Sequence, residues 1–143
     1  MAETEVLVTG TFNVVHAGHV RLLEFASRYG LVTVGINSDE YMQEKYGDLA
    51  VSLVDRSYVL RNNIFVHKVV MFRETEPSGL VRKLRPNYYV KGPDYLDEKL
   101  PEELAISEVG GKLIIQRVDK EYNSSDLIKT LPDSAFTRLS KYT

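Results

Sequence analysis

Short β-branched runs alternate with helically spaced apolar residues along almost the whole chain, and that alternation leaves few folds open. The strand candidates are Val6–Thr9, Leu31–Ile36, Lys68–Phe72, Tyr88–Lys91 and Leu113–Gln116. Between and after them, helical spacing predicts Gly18–Tyr29, Asp39–Tyr46, Asp55–Asn62, Ser78–Leu84, Pro101–Val109 and Ser125–Thr130. Ser38 or Asp39, Glu76-Pro77-Ser78 and Leu100-Pro101-Glu102-Glu103 read as helix starts, and Gly30 and Gly110-Gly111 as stops. A strand, a helix and a second strand in succession imply a crossover between parallel neighbours, which is right-handed in nearly every case. The expected fold is therefore α/β: a Rossmann-like, doubly wound parallel sheet of about five strands. A chain of 143 residues suffices for one such domain with a sizeable core. The core is expected over residues 5–130, with 131–143 as a C-terminal tail.

In such a sheet, ligands bind beyond the carboxyl ends of the strands, near the point where the strand order reverses. The segments that follow the strand candidates are polar and glycine-bearing. The most informative is the first, in which Gly10-Thr11-Phe12-Asn13 leads to His16-Ala17-Gly18-His19 and directly into the first helix. Backbone N–H groups at a helix start are unpaired and carry partial positive charge, which suits a phosphate. Gly18 has no Cβ to keep a phosphate off the backbone, and each imidazole has a hydrogen bond to donate. Two surface residues or a metal pair are the competing readings of such histidines. The chain has no cysteine and its third histidine is the distant His67, so a conventional zinc site is short of ligands, and no resident metal site is expected.

Composition narrows the partners. A formal net charge of -2 offers no basic field for nucleic acid or an anionic membrane. No run approaches the ~20 apolar residues of a membrane span, and Met1-Ala2-Glu3-Thr4-Glu5 is acidic rather than leader-like. A chain without cysteine forms no disulfide, which agrees with the expected cytoplasmic location. Phe65, Val66 and Val69-Val70-Met71 offer apolar surface beyond the needs of one small sheet, so a homodimer is expected.

Taken together, the blocks resemble the cytidylyltransferase-like nucleotidyltransferases, a branch of the H-x-G-H superfamily. Those blocks are Val8–His19, Val34-Gly35-Ile36-Asn37-Ser38-Asp39, Arg56, Leu84–Tyr95 and Asn123-Ser124-Ser125-Asp126-Leu127-Ile128-Lys129, in family order. The nearest likeness is to the adenylyltransferase domain that activates heptose 1-phosphate in lipopolysaccharide-core precursor synthesis. Glycerol-3-phosphate cytidylyltransferase is a more distant one. The resemblance implies attack by an acceptor phosphate oxygen on the α-phosphorus of a nucleoside triphosphate, with loss of pyrophosphate. The acceptor is then a phosphorylated sugar or small alcohol, and magnesium arrives with the nucleotide. ATP is favoured over CTP because Lys91-Gly92-Pro93-Asp94-Tyr95 is more like the adenylyl branch.

Under that resemblance, His16 and His19 are the catalytic candidates. Gly10, Thr11, Phe12, Asn13 and Gly18 are expected around the triphosphate, and Asn123, Ser124 and Ser125 form a second cradle at a helix start. Lys45 and Arg56 are the candidate additional cations, the forked guanidinium of Arg56 being suited to phosphate. Lys91 and Gly92 leave a strand end as ligand contacts. Asp94 is read either as another contact or, with Tyr95, as a loop cap, and Arg117 and Lys120 as groups that steer the acceptor. Asn13 stands where the family usually has aspartate, next to the triphosphate, so direct metal coordination there is not expected. A non-catalytic nucleotide-binding protein on the same fold is the rival reading, with Asn13 as its sign.

Overall fold

The computed structural model describes residues 3–95 and 99–117. Five strands form one all-parallel sheet in the order β3-β2-β1-β4-β5. They are β1 (Glu5–Gly10), β2 (Leu31–Asn37), β3 (Lys68–Phe72), β4 (Tyr88–Lys91) and β5 (Lys112–Ile115). The helices are α1 (Ala17–Ser27), α2 (Asp39–Tyr46), α3 (Leu53–Arg61), α4 (Ser78–Leu84) and α5 (Glu103–Glu108). Short 3₁₀ turns at Gly47–Leu49 and Pro93–Tyr95, which have no periodicity to betray them, complete the order. The expected strands and the first five helices are all present; the sixth, with Asn123, Ser124, Ser125 and Lys120, lies outside the described residues.

The central strands β1, β2 and β4 are buried on both faces, and the alternation of side chains builds two cores. Val6, Val8, Val32, Val34, Ile36 and Val90 face α1 and α3, where Leu23, Ala26 and Leu60 meet them. Leu7, Phe72 and Tyr89 face α4 and α5, against Leu80, Val81, Ala105 and Ile106. Near-continuous apolar runs such as Val6-Leu7-Val8 are what a sheet covered on both sides requires. Gly35 serves the second face, because a Cβ there would stand 2.6 Å from Leu80 Cδ2.

Helix boundaries differ from expectation for identifiable reasons. α3 begins at Leu53 rather than Asp55 because Ser52 caps it, its hydroxyl accepting from Asp55 N at 3.2 Å. α1 stops before Arg28, whose N–H and that of Tyr29 bond back three residues and tighten the last turn. Pro101 and Glu102 form a turn that precedes α5.

The apolar surplus assigned to a dimer is used inside the protomer. Phe65, Val66 and Val69 pack on the first core and Val70 on the second. The exposed apolar side chains lie elsewhere, among them Val54 and Tyr58 on the outer face of α3, 74% and 62% exposed. Among the described residues no helix is long and apolar enough to cross a membrane.

Candidate functional site

The strand order reverses between β1 and β4: the chain leaves β1 for β2 on one side and returns to β4 on the other. A cavity of about 620 Å³ opens there, within the usual size range of small-molecule sites. The last residues of the central strands reach it, Thr9 and Gly10 from β1, Asn37 from β2 and Lys91 from β4.

His16, Gly18 and His19 line this cavity, and local hydrogen bonds fix their arrangement. His16 is the N-cap of α1, and its Nδ1 accepts from Gly18 N at 3.0 Å. His19 reaches back one turn, its Nδ1 accepting from His16 N at 3.2 Å. This is a capping box in which imidazoles stand where a hydroxyl and a carboxylate usually do. A neutral imidazole that accepts at Nδ1 carries its proton at Nε2, so each ring keeps one N–H donor for a ligand. Burial, and then the neighbouring His16, hold His19 below its ordinary value of 6.5, so the neutral donor form prevails at neutral pH.

Gly18 has a different reason for being glycine than its expected closeness to phosphate. A Cβ at this position would lie 2.8 Å from His16 Cε1, so its absence makes room for the capping ring. Phe12 is buried, with its ring centroid 5.0 Å from that of His19. Its φ of 46° is left-handed, an uncommon conformation for a bulky residue and one that recurs at functional sites. The ring also occupies the space above Gly10, where a Cβ would meet Phe12 at 3.1 Å. Phe12 thus buttresses the histidines and bends the loop.

Thr11 lines the cavity, with its hydroxyl 3.1 Å from the Tyr46 hydroxyl. Lys45 also lines it, its ammonium 5.4 Å from the centre of the Tyr46 ring. On the opposite side of the reversal, Lys91, Gly92 and Asp94 also line the cavity, and a Cβ at Gly92 would meet nothing within 4 Å. Lys91 is nearly buried, and its ammonium lies 3.8 Å from Glu102 Oε1. Burial lowers the Lys91 pKa, and the Glu102 carboxylate partly offsets that.

Two expected phosphate ligands are placed otherwise. Arg56 is fully buried beneath the loop and does not line the cavity. Its Nε donates to Val51 O at 2.8 Å, its Nη1 to Thr11 O at 3.2 Å, and its Nη2 lies 3.4 Å from Asp39 Oδ1. The fork that suits phosphate here suits carbonyl oxygens. Asn13 also lies outside the lining: its amide donates to Leu49 O at 3.0 Å and accepts from Val51 N at 2.7 Å. Both residues fasten the 49–52 segment to the β1–α1 loop.

Thr9, Arg21, Tyr41, Glu102 and Gln116 line the cavity without having been singled out from sequence, whereas Asn37 lies in the segment after the second strand that was expected there. Gln116 follows a strand, a positional signal that was available. Glu102 was visible only as part of a helix start. Arg117, a proposed acceptor-steering group, is exposed and outside the lining. Among the described residues, no three His, Asp or Glu side chains gather as a metal site.

Comparison with known proteins agrees with this fold. Residues 7–132 match the cytidylyltransferase-like family. A protein of Streptomyces coelicolor named "Bifunctional protein HldE" is 41% identical over 115 residues, 78% of this chain and 25% of that one. The namesake from Helicobacter acinonychis is 33% identical over 129 residues, 88% of this chain and 27% of its own length. The chain thus spans about a quarter of the length of these relatives. A solved structure described as a lipopolysaccharide core biosynthesis protein from Thermoplasma volcanium superposes with a TM-score of 0.66 at 21% identity, covering 85% of this chain and 100% of the other. At that identity it speaks for the fold.

Proposed function

This chain belongs to the cytidylyltransferase-like family, and on that premise we propose that it transfers a nucleoside monophosphate from a triphosphate to a phosphorylated acceptor. An acceptor phosphate oxygen forms a bond to the α-phosphorus as the bond to the β-phosphate oxygen breaks, and pyrophosphate carries away the electron pair. Little covalent help is needed; the protein must align the two reactants and stabilise charge on the phosphoryl oxygens.

The observation that carries this reading is the reciprocal capping of His16 and His19, which leaves two oriented Nε2–H donors at a cavity on the switch point. Fixed donors of this kind need no reorganisation as charge develops. Lys45, Arg21 and Lys91 add positive charge along the same lining. Magnesium enters as part of the nucleotide substrate, held by phosphate oxygens and water. Carboxylates reach the cavity from Glu76, Asp94 and Glu102; Glu76 is already bonded to Ser78 and Glu102 to Tyr89.

The likeness to heptose-1-phosphate adenylyltransferase domains supports ATP and a sugar 1-phosphate as the pair. Asn13 lends no support to a catalytically silent protein, because its amide is engaged in holding the loop. A homodimer remains part of the proposal, with the exposed apolar face of α3 as its contact; light scattering showing a monomer at high micromolar concentration would remove it. The deciding experiment is a pyrophosphate-release screen of four nucleoside triphosphates against sugar 1-phosphates and small alcohol phosphates. ATP with a sugar 1-phosphate should give the highest rate. Release with CTP and an alcohol phosphate alone would replace this assignment by the cytidylyl one, and no release from any pair would reject the transferase.

A further inference from the structure

Glu102 is a carboxylate in a place built for polyanions. It is 2% exposed, lines the cavity, and stands at the N-cap of α5 without giving that helix a side-chain hydrogen bond. Buried carboxylates persist where they are paired, since stripping one of water is costly. Glu102 Oε1 accepts from the Tyr89 hydroxyl at 2.8 Å and lies 3.8 Å from Lys91 Nζ. With its one proton given to Glu102, the Tyr89 oxygen accepts from the Thr9 hydroxyl, which lies within hydrogen-bond distance. The chain of contacts runs from the end of β1, through fully buried Tyr89, to the N-cap of α5, and Lys91 ends β4 beside it.

Building on the transferase reading, we propose that Glu102 is a positioning residue: held by Tyr89 and Thr9, it anchors the Lys91 ammonium at the cavity wall for the substrate phosphates. An isolated lysine at this depth loses its proton more easily, and the carboxylate counters that. A negative charge that would repel a triphosphate is thereby masked by the cation it holds. The other ionisable groups of the lining are Glu76 before α4, Asp94 after β4, Lys99 before α5, His16 at the N-cap of α1, His19 and Arg21 on α1, and Tyr41 and Lys45 on α2.

Glu102→Gln tests this, because the amide oxygen still accepts from Tyr89 while the charge is gone. The Lys91 ammonium is followed by NMR of protein labelled at lysine Cε, with Lys91→Arg assigning the resonance. In Glu102→Gln its titration midpoint should fall by about one pH unit or more, a tenfold or greater change in the proton equilibrium. The alkaline limb of the pH profile of kcat/KM for pyrophosphate release should move down with it, and activity should recover as the pH is lowered. In the Lys91→Arg background the cation does not titrate, so the limb set by Lys91 should be absent and Glu102→Gln should not shift the alkaline side of the profile. An unmoved Lys91 midpoint, or a loss of activity equal at every pH, would overturn the proposal. Should Glu102→Gln fail to fold, Glu102→Asp keeps the charge but shortens its reach; a Lys91 midpoint identical to wild type would count against the proposal as well. A wild-type protein that releases no pyrophosphate would end the transferase reading, whereas the NMR titration judges the Glu102–Lys91 pair independently of it.

Discussion

The two walls of the cavity are held by opposite means. On the α1 wall, His16 and His19 cap each other across three residues, and their ring centroids lie 4.0 Å apart with the planes tilted by 33°. On the β4 wall, Lys91 and Glu102 belong to a buried network that ties Thr9 to Tyr89, 80 residues apart in sequence. The first wall offers donors fixed by local geometry; the second offers a charge fixed by the fold. A local device can be altered without disturbing the domain, whereas a buried charged network cannot.

The difference is sharpest for Lys91→Met. That substitution leaves Glu102 buried with its negative charge uncompensated by the lysine, and breaking a buried ion pair from one side costs about 3–5 kcal/mol. Chemical denaturation should show a loss of that size, together with lost pyrophosphate release. Stability within about 1 kcal/mol of wild type would mean that the β4 wall is no more integral than the α1 wall.

His19→Ala should show the reverse balance. Removing one oriented donor lowers turnover by ~10²-fold or more, with only a small loss of stability. His16→Ala adds a second effect, since His16 is an N-cap and its loss costs about 1 kcal/mol. His16→Asn separates the two by keeping a capping oxygen without the imidazole. If Asn restores turnover as well as stability, His16 acts only as a cap. Acid should weaken both functions of His19 together. Its folded-state value lies below 6.5, so as pH falls through 6.5 toward that lower value the unfolded chain takes up the proton first, and stability declines. Protonating Nδ1 also removes the acceptor that caps His16 N. His19→Ala should therefore flatten the acid limb of the stability profile, and an unchanged limb would assign it to another group.

The same contrast explains what was legible in the sequence. The histidine pair, the strands and Ser38 as a helix cap declare themselves within a few residues, because contact and spacing coincide. The Arg56 contact with Thr11 spans 45 residues, and only the folded chain brings that guanidinium under the loop. The resemblance pointed to Arg56 as a cation for phosphate, whereas its guanidinium donates to Thr11 O and Val51 O. Glu102 was hidden for the same reason: its partners sit on β4, and a glutamate before a helix reads as an ordinary start. Arg56→Lys removes the fork that serves Thr11 O and Val51 O, at a cost of about 2 kcal/mol for charge-assisted hydrogen bonds to carbonyls. Thermal unfolding should show the loss. Unchanged stability with weakened nucleotide binding would instead return Arg56 to the phosphate.

Asn13→Asp gives the smallest effect and the finest test, because it substitutes the residue usual in the family. The asparagine amide donates to Leu49 O and its oxygen accepts from Val51 N, so one side chain closes both ends of a short segment. An aspartate keeps the second bond and sets a carboxylate oxygen against the Leu49 carbonyl, an acceptor facing an acceptor. The cost should be about 1 kcal/mol, because one hydrogen bond is lost and the site is partly open to water that re-solvates the carbonyl. The base preference should stay the same, since this clamp lies outside the cavity lining. The magnesium concentration for half-maximal pyrophosphate release distinguishes two roles. If Asn13 is a clamp, that concentration stays within about twofold of wild type, while the melting temperature falls. If the new carboxylate instead turns toward the triphosphate, the magnesium requirement tightens and the melting temperature holds, and the β1–α1 loop is then less firmly fastened than its hydrogen bonds imply.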